Sequence, residues 1–168
     1  MKDLNFKHGG NIYYYAKKFN LSLSDIIDAS ASIVPFSVPN LLEEALNEVI
    51  NTESFKYYPE QNLLKLREVI GEFHNIDPKC IMPGNGASEL ITWAGFEASK
   101  YKRNILPIPG FVDYERALTC WKKEYSFAEL PKKYLLNTKQ SFPLQPLCDV
   151  LWITNPHNPT GQLWDKGS

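Results

Sequence analysis

The sequence predicts an α/β fold, with helices layered on a largely parallel sheet, and three observations carry that expectation. From Cys80 onward, short apolar runs alternate with glycine turns and helical stretches, the pattern of strand, turn, helix, strand. Two amphipathic helical segments precede that region. A chain of 168 residues with 43% hydrophobic and 22% charged residues has the composition and length of an ordinary globular domain with its own core.

Taken in order, residues 11–19 place Ile12, Tyr13, Tyr15, Ala16 and Phe19 on a short amphipathic helix, which "LSLSD" interrupts. "IIDASASIVPFSVP" then reads as extended chain, because Pro35 and Pro39 exclude helix around them. A second helix is expected over about 41–50, with Leu41, Leu42, Ala45, Leu46, Val49 and Ile50 in its apolar stripe. Asn40 and Glu43 would form a reciprocal cap for its first turn. After "KYYPEQN", Leu63, Leu66, Ile70 and Phe73 recur at helical spacing until "NIDP" stops the helix.

Strands are expected at "CIMP", "NILPIP", "EYSFAEL" and "DVLWIT", with one helix beginning beside Ala87 and Ser88 and running through "ITWAGFEASK", and another in "GFVDYERALTCW". The polar, proline-bearing stretch "PKKYLLNTKQSFPLQPLCD" reads as a loop with at most a short helix.

Charge and cysteine usage narrow the function. A formal net charge of -1 leaves no basic surplus for nucleic acid, so a small-molecule partner is expected. Cys80, Cys120 and Cys148 are odd in number and lack C-x-x-C spacing, which argues against a disulfide framework or a zinc site and for reduced, cytoplasmic thiols. His8, His74 and His157 show no metal-ligand spacing. The start has no apolar signal region, and no apolar run is long enough for a membrane span.

In open α/β sheets, ligands sit in the loops that follow the strands. Three such loops invite chemistry. In "GNGASE", glycines at 84 and 86 precede a helix whose first N–H groups are unpaired, a combination that suits a phosphate. A plain helix cap at Ser88 explains the same residues. In "PGFVDY", Phe111 could stack on a planar ring, or Phe111 and Tyr114 could simply be core residues. In "TNPHNPTG", prolines stiffen the loop and Asn158 offers an amide to a ring oxygen. His157, without a visible orienting partner, reads as a structural residue of the loop rather than a base.

Together with "HGGN" at 8–11, "DASASIVP" at 28–35 and "YYPE" at 57–60, these loops occur in the order seen in one family. The chain resembles the fold type I pyridoxal-phosphate enzymes, in the branch of threonine-phosphate decarboxylase and histidinol-phosphate aminotransferase. "HGGN", and Phe rather than Tyr in "PGF", tip the resemblance toward the decarboxylase of cobalamin biosynthesis.

The resemblance implies the N-terminal portion of an aspartate-aminotransferase-like fold: an N-terminal arm and small-domain segment at 1–50, then part of the pyridoxal-phosphate-binding domain at 51–168. It implies that Gly86, Ala87 and Ser88 hold the phosphate of pyridoxal 5'-phosphate, that Phe111 stacks on its ring, and that Asn158 bonds the ring 3′-oxygen. Tyr58 would reach the cofactor of a neighbouring subunit in a homodimer, and His8 and Ser32 would face a phosphorylated amino-acid substrate.

Two departures bear on chemistry. The family pattern near position 30 is close to S-A-N-I-N-P, whereas here Ser32 and Val34 stand where asparagines would. The family's cofactor-bearing lysine, the aspartate paired with the ring nitrogen and the carboxylate-binding arginine belong to segments these 168 residues do not contain. Neither Lys139 nor Lys166 has the context to substitute.

The expectation is therefore a threonine-phosphate-decarboxylase-like transformation by the intact enzyme, with no catalytic lysine in this chain. A histidinol-phosphate-type aminotransferase and a catalytically inactive N-terminal fragment are the alternatives. The family's sheet order also pairs "CIMP" with a later strand, so an apolar face and a strand without its neighbour are expected, and with them marginal stability or aggregation.

Overall fold

The computed structural model describes residues 9–34, 36–131, 141–143 and 147–165. They fall into two compact units, Met1–Ile81 and Met82–Ser168.

The first unit is helical. Helix α1, Ile12–Phe19, starts where the Asn11 side chain accepts the Tyr14 N–H, and it ends at Asn20 in a left-handed conformation. Helix α2 runs Asn40–Asn51 and α3 runs Leu64–His74. The expected cap on α2 is displaced. Asn40 lies inside the helix, Pro39 occupies the cap position, and its carbonyl accepts from Leu42 and Glu43. A proline with φ of -57° and ψ of 137° makes a ready-made entry, so no side chain is required to start the turn.

Asn75, left-handed at φ 54°, closes α3. Among the described residues between α1 and α2, the regular element is one 3-10 turn at Leu23–Asp25. In the same stretch Ser30 is tied back to the arm, its Oγ accepting the Gly10 N–H at 2.9 Å. Gly9 approaches so closely that a Cβ would lie 1.8 Å from the Ser30 carbonyl oxygen, which no side chain permits.

The second unit carries the sheet. Strands β1 (Asn104–Ile108), β2 (Ser126–Glu129) and β3 (Val150–Leu151) lie in the order β2-β1-β3, all parallel. Helices α4 (Ala87–Ser99) and α5 (Asp113–Cys120) flank the turn into and out of β1. The α/β class is as expected, but the strand expected at "CIMP" does not form. Pro78–Cys80 is a 3-10 turn, and Ile81, although extended at φ -108° and ψ 127°, joins no ladder. Extended backbone becomes a strand only when a neighbour completes its hydrogen bonds, and no described segment pairs with it.

A small core joins the layers. Ala98 from α4, Leu106 from β1 and Leu118 from α5 are buried together, with Tyr114, Tyr125, Val150 and Trp152 packed against them. Gly95 lets the two helices touch, since a Cβ there would meet Ala117 at 3.0 Å. Asn104, 1% exposed, donates to the Ala98 and Tyr101 carbonyls and so locks the end of α4 to the start of β1.

Much apolar surface stays uncovered. Helix α2 has no buried residue, and Leu41 on its stripe is 80% exposed. Among the described residues, no helix is long and apolar enough to cross a membrane.

The entry to the sheet is held by charge. Arg103 pairs with Asp149 at 2.8 Å, and the second carboxylate oxygen accepts the Arg103 backbone N–H at 2.9 Å. The Arg103 guanidinium and its N–H hold the Asp149 carboxyl below the usual carboxylate range. A carboxylate depressed in the folded state adds stability above its unfolded pKa, about 3.9, and that stability disappears as pH falls through the lower folded value. Asp149→Asn is therefore expected to be less stable than the parent at neutral pH and equal to it in strong acid. Urea midpoints measured across that range would refute this if the gap persisted below both values.

Candidate functional site

Because β1 and β3 are parallel neighbours, the loops that follow them emerge at the same end of the sheet. The first holds Pro109, Gly110 and Phe111; the second is 154–161. The head of α4 is brought to the same place by its bonds to α5, which begins two residues after Phe111. The three loops singled out in the sequence thus converge in one unit.

At the head of α4, Gly86 has φ 84° and ψ 162°, a conformation that favours glycine. The position where its Cβ would stand has no atom within 4 Å, so open space lies against the backbone. The Gly86 N–H donates to the Gly84 carbonyl at 2.9 Å. Ala87 and Ser88 follow as the first helical residues, whose N–H groups have no intrahelical acceptor.

Ser88 is also part of a clamp. Its hydroxyl donates to Asp113 Oδ2 at 3.0 Å and accepts from an Arg116 terminal nitrogen at 3.0 Å. That nitrogen also contacts the Ser88 carbonyl, Thr92 Oγ1 and Asp113 Oδ2, while Arg116 Nε bonds Asp113 Oδ1. Asp113 is 2% exposed. The bond to Asp113 raises the Arg116 pKa above its ordinary value, so the guanidinium stays charged.

The Phe111 ring is half-buried and meets Tyr114 edge-on, with centroids 5.6 Å apart. Tyr114 in turn reaches Thr154, hydroxyl to hydroxyl, at 2.7 Å. Gly110 is required by crowding, because a Cβ would lie 2.2 Å from the Pro107 carbonyl oxygen.

His157, 3% exposed, joins the two loops: its Nε2 lies 2.8 Å from the Pro109 carbonyl oxygen. A carbonyl can only accept, so Nε2 carries the proton. Main-chain bonds from His157 N–H to the Gln162 carbonyl and from Gly161 N–H to the His157 carbonyl close the turn around it. Next to His157, Asn158 is exposed.

In the other unit, Tyr58 is 100% exposed and Ser32 is exposed; His8 lies outside the described residues, as do Lys139 and Lys166. The structure therefore brings together Gly86, Ala87, Ser88, Phe111 and Asn158. The sequence reading missed Asp113 and Arg116, although opposite charges three residues apart on an expected helix were a usable signal. It also missed the Pro109 carbonyl, which no residue pattern marks.

The residues present fit a flat, phosphorylated ring. Open space over a glycine at a helix head suits the phosphate, and the loops of Phe111 and Asn158, tied together by His157, offer an aromatic ring and an exposed amide at the same end of the sheet.

The chain is 31% identical over 165 residues to the threonine-phosphate decarboxylase of Salmonella typhimurium, covering 96% of this chain and 44% of that protein. It is 29% identical over 141 residues to the histidinol-phosphate aminotransferase of a Hydrogenobaculum species, covering 82% of this chain and 40% of that protein. Its fold matches the crystal structure of the histidinol-phosphate aminotransferase from Clostridium acetobutylicum, with a TM-score of 0.63 at 23% identity, over 84% of this chain and 41% of that one. The chain spans about two-fifths of the length of these relatives. A further match covers residues 16–167 and is to the family described as Aminotransferase class I and II. Nearly the whole chain is included in that match, and the chain belongs to the class I and II aminotransferase family.

Proposed function

We propose that the chain supplies the phosphate and ring-binding half of a pyridoxal-phosphate enzyme acting on a phosphorylated amino acid, of the threonine-phosphate-decarboxylase kind. The observation that carries this reading is the convergence of the α4 head, Phe111 and Asn158 at one end of the sheet, with His157 linking the last two loops. The relative covering most of this chain at 31% identity is a threonine-phosphate decarboxylase, which favours that branch.

When bound, the cofactor supplies an electron sink for the substrate carbon. The chain's residues would position it: the N–H groups of Ala87 and Ser88 and the Ser88 hydroxyl on the phosphate, with Gly86 leaving room. The Phe111 ring would cover one face, and the Asn158 amide would donate to the 3′-oxygen. Gly86 is proposed to contribute its own N–H as well, once the bond to Gly84 opens.

His8 and Ser32 are proposed to face the substrate, and Tyr58, fully exposed, is proposed to complete the site of a second subunit in a homodimer. The segment 1–50 is read as arm and small-domain portion and 51–168 as cofactor-domain portion, and the protein is read as cytoplasmic. These 168 residues lack a lysine in the cofactor-bearing context, so any cofactor binding by them alone is expected to be non-covalent.

The test is a titration of the chain with pyridoxal phosphate and with phosphate-free pyridoxal, followed by fluorescence. A preference for the phosphorylated form of about tenfold or more is expected, since charge-assisted bonds to the phosphate contribute about 1.5–3 kcal/mol each. Equal affinities would refute the phosphate subsite. For the protein that carries this chain, carbon dioxide release from threonine phosphate supports the decarboxylase reading. Amino-group transfer from histidinol phosphate to a keto acid would point to the aminotransferase instead.

A further inference from the structure

We infer that Arg116 and Asp113 are positioning residues for the phosphate subsite, acting through the Ser88 hydroxyl; this rests on the cofactor reading above. A serine hydroxyl has one proton and two lone pairs. The Ser88 oxygen is held from two sides, by Arg116 at 3.0 Å and by Asp113 at 3.0 Å. A guanidinium has no acceptor, so Arg116 must use a lone pair of that oxygen, and the hydroxyl proton is directed at the Asp113 carboxylate.

The arrangement stores a donor. A phosphate at the head of α4 would compete with Asp113 for the proton, and the O–H can turn toward it while the oxygen stays where Arg116 holds it. The same guanidinium grips the Ser88 carbonyl and Thr92 Oγ1, so the first turn of α4 is fixed along with the hydroxyl.

Charge makes the pair necessary. Asp113 is 2% exposed, and an uncompensated carboxylate behind an anion site would repel the phosphate. Arg116 forks onto both of its oxygens and cancels that charge. Arg116 keeps its proton throughout the usual pH range, so the compensation does not titrate away. The pair is built from α5 and serves α4, which distinguishes it from an ordinary surface ion pair within one helix.

The experiment uses the whole chain and the ratio of its affinities for pyridoxal phosphate and pyridoxal, a quantity that cancels general loss of packing. Wild type, Ser88→Ala, Arg116→Met, Arg116→Lys and the double variant S88A/R116M are compared by fluorescence titration. Arg116→Met is expected to lower the ratio about tenfold, as Ser88→Ala does, and the double variant to lose no more than either alone. Arg116→Lys, with charge but no fork, should restore only part of the preference.

A wild-type ratio kept by R116M while S88A loses it overturns the inference and leaves the cofactor reading standing. Additive losses in the double variant overturn it as well. A wild-type ratio near one removes the cofactor reading and this inference with it. Should R116M lose its helical circular dichroism, Arg116→Gln, which keeps an amide donor without the charge or the fork, makes the same comparison: a lowered ratio is expected, and a wild-type ratio overturns the inference.

Discussion

Replacing Leu118 by alanine is expected to abolish cooperative unfolding of the second unit. Leu118 is 0% exposed and joins α5 to Ala98 of α4 and Leu106 of β1, so truncation removes the residue on which both layers meet. Leucine-to-alanine changes in cores cost about 2–5 kcal/mol, against a total of about 5–15 kcal/mol for an ordinary domain. Among the described residues few large apolar side chains are buried to absorb that loss, and many are exposed, so this chain is expected to sit at the low end. Urea unfolding followed by tryptophan fluorescence reads the effect directly, because Trp152 packs against the cluster. A Leu118→Ala transition as steep as the parent's, with a similar midpoint, would show that the core lies elsewhere.

The second large effect is expected from His157→Phe. The ring would fill similar space, but the bond to the Pro109 carbonyl would be gone. The bond is part-buried, and a hydrogen bond of that kind contributes about 0.5–1.5 kcal/mol. In the proposed function the cost falls on the cofactor, because the same bond sets the loop of Phe111 against the loop of Asn158. Affinity for pyridoxal phosphate is expected to fall roughly tenfold, since 1.4 kcal/mol is a factor of ten. His157→Gln, which keeps an amide donor, should recover part of it. Equal affinity in the phenylalanine variant would mean that the two loops hold their spacing without the histidine.

Both predictions concern residues whose importance is unequally visible in the sequence. Leu118 lies in "YERAL", an expected helix after a glycine turn, and its burial follows from the helical repeat. His157 was expected to be structural, and the structure agrees, but the partner that makes it so is a main-chain carbonyl 48 residues away. Local patterning cannot name such a partner.

The same division runs through the fold. Helices α1, α3, α4 and α5 lie close to their expected places because periodicity, prolines and left-handed Asn or Gly positions act over a few consecutive residues. Strand β1 was legible for the same reason, and β2 and β3 were found as shorter strands than expected. "CIMP" failed because a strand is a property of two segments, and its apolar letters say nothing about whether a neighbour is present. Asn40 failed by one position because Pro39 already had the entry geometry.

The class of fold and the places of most elements were legible in neighbouring residues, and the motifs singled out Gly86, Ala87, Ser88, Phe111 and Asn158, which are proposed to contact a phosphorylated cofactor. Only the tertiary structure decided that those loops meet, that Arg116 and Asp113 hold Ser88, and that His157 ties the second loop to the third. The reason is physical: turn and helix preferences are written in neighbouring residues, whereas a long-range hydrogen bond exists only after the sheet order has brought distant segments together.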